Sequence, residues 1–203
     1  MMRPTAPIAL VCAVLLAGCG HSPATTFLVL DLAPAALPVA AYAGPPLRVP
    51  FLHLPVTVDR PELVRRDAAG TLAVEDFARW SAPLGIMARD TLIQDLTQRL
   101  PTGSVLAPDA PGAMPEVRVE PTILSLTSGG GSATMTVSYR LIAPGAVDAR
   151  PQVVQLATPL ADDAPPARAQ AWSRLLGQLS DRLVIDLAAV QYAPAAGGTR
   201  KGR

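Results

Sequence analysis

The stretch Thr134-Met135-Thr136-Val137-Ser138-Tyr139-Arg140-Leu141 alternates without a break, placing Met135, Val137, Tyr139 and Leu141 on one face and Thr134, Thr136, Ser138 and Arg140 on the other. A period of two is that of a β-strand with one side buried and one side wet. Such strands belong to sheets covered on a single face. Just upstream, Thr127 to Ser132 contains Gly129-Gly130-Gly131 and reads as a hairpin connection to a preceding strand. In that strand Val117 and Val119 share one parity, while Leu124 and Leu126 fall on the other. The slip by one residue predicts a bulge near Pro121. Downstream, a further strand is expected from Gln152 to Leu160.

On either side of this block the period changes. Leu84, Met87, Ala88, Leu92, Leu96 and Leu100 recur at three- and four-residue spacing and form one helical stripe, ended by Pro101 and Gly103. Ser81 is placed to cap that helix, with Pro83 in its first turn, where a missing N–H costs little. A second and longer stripe runs through Trp172, Leu176, Leu179, Leu183, Leu187 and Val190, with Asp162 or Asp163 as the expected cap before Pro165-Pro166. Nearer the amino terminus, Phe27-Leu28-Val29-Leu30 reads as a strand and the Ala- and Pro-rich run 33–46 as a surface connection. Leu47 to Val58 is extended and apolar, with Pro50 and Pro55 limiting its pairing. Leu63-Val64 and Leu72-Ala73-Val74 bracket a turn at Asp67-Ala68-Ala69-Gly70. The order β-β-β-β-α-β-β-β-α predicts an α+β fold: a single mixed or largely antiparallel sheet with two principal helices packed on one face.

The first eighteen residues follow a different logic. Arg3 supplies a positive start and Ile8 through Leu16 a short apolar run, too short to span a bilayer. Leu16-Ala17-Gly18-Cys19 then matches the lipobox of bacterial lipoproteins, in which small residues precede a cysteine that receives a diacylglyceryl thioether. Cleavage frees the Cys19 amino group for further acylation by a chain such as palmitate. Cys12 lies in the discarded segment, so Cys19 is the only cysteine of the mature chain and an internal disulfide is excluded. Several acyl chains on one residue anchor stably, each buried CH₂ contributing roughly 0.8 kcal/mol. The expected organisation is a signal peptide at 1–18, a lipidated tether at 19–26, one domain at 27–192 and a flexible tail at 193–203. Gly20, in place of an aspartate after the cysteine, points to the outer membrane rather than the inner one.

Charge and composition exclude several functions. The chain of 203 residues carries 17 basic and 16 acidic side chains, and loss of Arg3 with the signal leaves the mature protein neutral. Nothing in it would hold nucleic acid. The two histidines are His21, two residues from the lipid anchor, and His53, inside an apolar strand where a structural role is expected. No nucleophile elbow, zinc-binding His-Glu-x-x-His or Ser-x-x-Lys occurs. The three glycines lead into a strand and not into a helix amino terminus, so they are no phosphate cradle. No catalytic, cofactor-binding or metal-ligating residue is assigned, and the chain is read as not an enzyme.

Two segments stand out instead. Asp59-Arg60-Pro61-Glu62-Leu63-Val64-Arg65-Arg66 packs five charges around a proline, and Arg79-Trp80 precedes the first helix. Arginine and tryptophan are favoured interface anchors because a planar cation or large ring gains much on desolvation. Asp59, Arg60, Arg65, Arg66, Arg79 and Trp80 are therefore the candidate partner interface. A salt-bridged turn with Trp80 in the core is the other reading, and the sequence alone does not separate them.

The same residues carry a resemblance. The lipobox, the strand Phe27-Leu28-Val29-Leu30-Asp31, Leu54-Pro55, Val58 through Arg66, and Arg79-Trp80-Ser81-Ala82-Pro83-Leu84 resemble the auxiliary lipoproteins of ABC-type transport systems, the PqiC-like (YmbA) family. The specific part is 54–100; Thr57-Val58 departs mildly from the aromatic-leucine pair that many relatives carry. The resemblance implies a non-enzymatic docking subunit at the periplasmic face of the outer membrane. Its implied partner is an MCE (mammalian cell entry) protein of an intermembrane lipid transport system, and it also implies assembly of several copies. A lipid-binding carrier with its own apolar groove is the alternative, and it predicts a cavity of several hundred Å³.

Overall fold

A computed structural model of the protein describes residues 23–36, 41–66, 70–111, 115–144 and 150–190. The expected signal peptide, Cys19 with the first half of its tether (19–22), and the expected tail 193–203 lie outside the described residues. The elements are β1 (Thr26–Leu28), β2 (Leu47–Arg48), β3 (Glu62–Arg66), β4 (Leu72–Trp80), α1 (Leu84–Arg99), β5 (Val105–Leu106), β6 (Val117–Val119), β7 (Thr122–Gly129), β8 (Ser132–Tyr139), β9 (Leu141–Ile142), β10 (Gln152–Pro159) and α2 (Pro165–Ala189). The class is α+β, as expected.

The alternating strand β8 lies between β7 and β10, antiparallel to both. Ala133, Met135, Val137 and Tyr139 are buried, and Thr134, Thr136 and Ser138 stay half-buried on the opposite face. The β7–β8 turn is tighter than the glycine run suggests: Gly130 and Gly131 take φ of 62° and 81°, the positive values that a two-residue hairpin demands. The bulge falls three residues beyond Pro121. Register shifts between Ile123 and Ser125, which leaves Leu124 exposed.

The strands divide into three ladders, β1-β4-β3, β10-β8-β7 and β5-β2-β6-β9, where one sheet was expected. Backbone chemistry explains the division. Pro121 brings no N–H between β6 and β7, and its carbonyl accepts from His53 instead. The extended run from Leu47 ends in a turn at 56–58, short of the expected Val58, because the Pro55 carbonyl accepts from the Val58 and Asp59 N–H groups. In β4, the partner of Glu62 is Arg79 while that of Leu63 is Glu75, so 76–78 bulge out of the β3 ladder. On its other edge β4 runs parallel to β1.

The second helix covers the buried face of β8, and the first helix packs against the second. A small apolar space between the layers is lined by Leu84 and Ala88 of α1, Trp172 and Leu176 of α2, and Ile123, Leu126 and Met135 of the strands. Neither expected side-chain cap forms on the helices themselves. Pro83 is the N-cap of α1, and Ser81 ends the β1–β4 pairing by donating its N–H to the Leu28 carbonyl at 2.9 Å. Asp162 accepts from the Ala164 N–H at 2.8 Å, which shapes the turn before Pro165.

The run after β1 begins as a strap and not at the surface: of the connection expected at 33–46, Ala33 is buried while 34–36, 41 and 43 are exposed as expected. Residues 30–34 form a strap across α1 and α2, and side chains from both helices bind its backbone. Asp31 N–H donates to Ser173 Oγ (3.0 Å) and Ala33 N–H to Asp95 Oδ1 (3.0 Å). Arg99 donates to the carbonyls of Ala33 (3.3 Å) and Pro34 (3.2 Å). Arg99, 2% exposed, also meets Asp181 Oδ1 at 2.6 Å. Burial pushes the Asp95 carboxyl up to about 6, against the opposing hydrogen bond from Ala33 and the charge of Arg99.

Candidate docking surface

The charged segment is a turn fixed at both ends. Pro55 accepts from Val58 and Asp59 at one end, and at the other Trp80 N–H donates to the Pro61 carbonyl at 2.7 Å. The Asp59 carboxylate lies beside the opening turn of α1. A Cβ on Gly85 would stand 3.7 Å from Asp59 Oδ1, an ordinary van der Waals separation that places the turn against the helix. A negative group beside an uncapped helix amino terminus is electrostatically favourable.

Arg60 and Arg79 converge on Glu62. Arg60 Nε donates to Oε2 at 3.0 Å, and an Arg79 terminal nitrogen lies 3.2 Å from Oε1. The hydrogen bond from Arg60 is the first cause holding the Glu62 carboxyl below the usual carboxylate range. Both arginines keep nearly half of their side chains in solvent, so the guanidinium groups can re-pair with a partner at small cost. Arg65 turns elsewhere, 3.6 Å from Glu75, which also accepts from the buried Arg168 of α2 at 3.1 Å. The Arg66 side chain lies outside the described residues.

Trp80 is corrected by its position. It is 4% exposed and stacks on Trp172 with ring centroids 5.1 Å apart and planes at 27°. A ring spent on the core has no surface to offer a partner, so it leaves the interface set. His53 is exposed, its ring 4.8 Å from that of Phe51, and the bridge to Thr122 is made by its backbone, so the structural role expected of its side chain is not seen.

Sequence reasoning missed an adjoining groove. It runs between the β3–β4 hairpin and β7, lined by Pro55, Val58, Val64, Leu72, Leu124 and Thr127, and encloses about 170 Å³. Leu72 and Leu124 stand exposed on its rims, and the Asp59–Arg60 turn continues directly from Val58. The parity slip at Leu124 was the available signal. A bulge that turns a leucine out of a sheet presents it to something else.

Among the described residues, no group of three or more His, Cys, Asp or Glu could hold a metal ion. Nor is any described helix long and apolar enough to cross a membrane. The protein-family model of the ABC-type transport auxiliary lipoprotein component matches residues 28–184. The chain belongs to this family. The match spans β1 to the last turns of α2, so this auxiliary lipoprotein's strap, charged turn and groove all fall inside it.

Two crystal structures share the auxiliary lipoprotein's fold. One, of an uncharacterized protein, is 16% identical with a TM-score of 0.68, covering 81% of this chain and 99% of its own. The other, protein XCC0632 from Xanthomonas campestris, assigned to DUF330, is 18% identical with a TM-score of 0.60, covering 79% and 93%. A search of curated proteins finds no match.

Proposed function

We propose that this auxiliary lipoprotein, held by lipid on Cys19 at the periplasmic face of the outer membrane, docks the MCE-domain protein of an intermembrane lipid transport system without itself catalysing a reaction. The family match supports a transport role, and the lipobox supports the anchor. Packing between the layers favours docking over carrying. The apolar space among Leu84, Trp172, Leu176 and Met135 holds only about 10 Å³, whereas sites that enclose even a drug-sized ligand run to roughly 300–1,000 Å³. The groove beside the Asp59–Arg60 turn is larger but shallow and partly polar, suited to one or two side chains of a protein partner.

Gentle detergent extraction, followed by capture on this protein and mass spectrometry, tests the proposal. Recovery of an MCE-domain protein is the expected result. Recovery of phospholipid at one molecule per chain without any such protein would replace docking with carrying.

A further inference from the structure

We infer that the outer face of the β1–β4 pair, built on Phe27 and Phe77, rests in the headgroup region of the same bilayer that holds the lipid on Cys19. The inference depends on the anchoring proposed above. It starts from which side chains the pairing turns outward. Leu28, Ala78 and Trp80 face the core and are buried. Phe27 pairs directly with Arg79, so both point away from the core. Phe77, two residues earlier in β4, lies on the Arg79 side where the strand bulges from β3. Phe27 is 67% exposed and Phe77 49%, and Val29, two residues on from Phe27, is also exposed. Two of the chain's three phenylalanines thus face outward on adjoining strands. Apolar side chains exposed together mark a contact surface, and Phe is among the residues that membrane-surface segments bury at the headgroup–acyl boundary.

The length of chain back to the anchor identifies the occupant. Thr26, the first residue of β1, lies seven residues after Cys19. Fully extended, seven residues reach at most about 25 Å. The surface beside the point where the tether enters the fold is therefore confined near the bilayer, and Phe27 is the next residue in the chain. A face delivered by its own anchor needs little affinity of its own. The attraction is apolar rather than ionic. Glu62 and the exposed Asp76 together balance the charges of Arg60 and Arg79, so acidic lipids gain no net advantage at this face.

The test uses the full lipidated chain in vesicles of phosphatidylethanolamine and phosphatidylglycerol, made with plain or brominated acyl chains. Both native tryptophans are buried, so F27W adds an exposed fluorophore, and V153W on β10, in a different ladder from β1, provides a second at a 63% exposed site. The expected result is that F27W emission shifts to the blue and is quenched by brominated chains, while V153W is unaffected, and that raising salt changes neither. Equal emission of F27W in both kinds of vesicle, with the protein floating alongside them, overturns the inference and leaves the anchor intact. Quenching of F27W and V153W alike overturns it too. A chain that fails to float removes the anchoring itself, and the inference with it.

Discussion

Gly177 of α2 and Ala33 of the strap meet so closely that a Cβ built on Gly177 would stand 2.3 Å from the Ala33 Cβ. The strap therefore sits in the helix layer at a depth that only a glycine on α2 permits. Gly177→Ala gains up to ~1 kcal/mol of helix propensity. It also forces a backbone-borne methyl aside, and overpacking of that kind costs typically ~1–3 kcal/mol. The expected outcome is a lower urea midpoint for G177A. Ala33→Gly, which removes the opposing methyl, restores stability in the double variant by more than the two single effects predict.

Arg99 distributes its donors over Asp95, Asp181, Ala33 and Pro34, which joins both helices to the strap. Arg99→Met leaves two carboxylates without their buried cation. Breaking such a pair on one side costs roughly 3–5 kcal/mol. Arg99→Lys has too few donors, in the wrong geometry, to serve all four partners, and should recover only part of that loss. Denaturant unfolding gives both magnitudes, and limited proteolysis near residues 33–36 should accelerate in both variants.

The pH response of this cluster has a definite sign. The Asp95 carboxyl is raised from 3.8 to about 6 by burial, with Asp181 adding to the rise and Arg99 opposing it. Between those values the folded chain holds a proton that the unfolded chain has released. Asp95 thus contributes stability below about pH 4 that is lost as pH rises through about 6. Unfolding free energies of the wild type and Asp95→Asn, compared from pH 4 to pH 7.5, should diverge in favour of the variant as pH rises. A constant gap would show that Asp95 titrates normally.

What the sequence revealed, and what it hid, follows from how local each signal is. The face of β8 was legible because a strand buried on one side must alternate at every residue, and the α1 and α2 stripes obey the same logic at helical spacing. Division of the strands into three ladders was not legible, since nothing local in the sequence says that β4 takes β1 on one edge and β3 on the other and so joins neither remaining ladder. Asp95 and Arg99 stand four apart on a helix and look like a solvated surface pair. Only the strap laid over them makes them core. Trp80 beside Arg79 has the composition of an interface anchor, and burial against Trp172 is what decides otherwise.

That burial separates two kinds of variant in the candidate site. Trp80→Ala removes a ring from the stack with Trp172 and should cost ~3–5 kcal/mol, seen as a large fall in the thermal midpoint. Any loss of partner capture in that variant reports unfolding and says nothing about contact.

Lipidation is checked directly. Cys19→Ala removes the proposed site of the thioether, so intact mass should lack the acyl additions and should include residues 1–18, whose removal follows lipidation. A variant that still carries acyl additions would place the anchor elsewhere.

The docking surface itself needs substitutions that the fold does not notice. Arg60→Glu breaks an exposed, solvent-screened pair with Glu62 that contributes little to stability. Leu124→Asp alters a side chain that the bulge has already turned into solvent. Neither should move the unfolding midpoint by more than a few degrees, about what ~1 kcal/mol shifts a domain of this size. If the Asp59–Arg60 turn and its groove receive the MCE-domain partner, each variant should retain less of it through detergent extraction and washing, and the pair together should retain least. Anchors near the centre of an interface typically cost ~2 kcal/mol or more when lost, which is at least tenfold in affinity and well within reach of a quantitative pull-down. Wild-type retention by both variants, with folding intact, would move the docking site off this turn and onto another face of the domain.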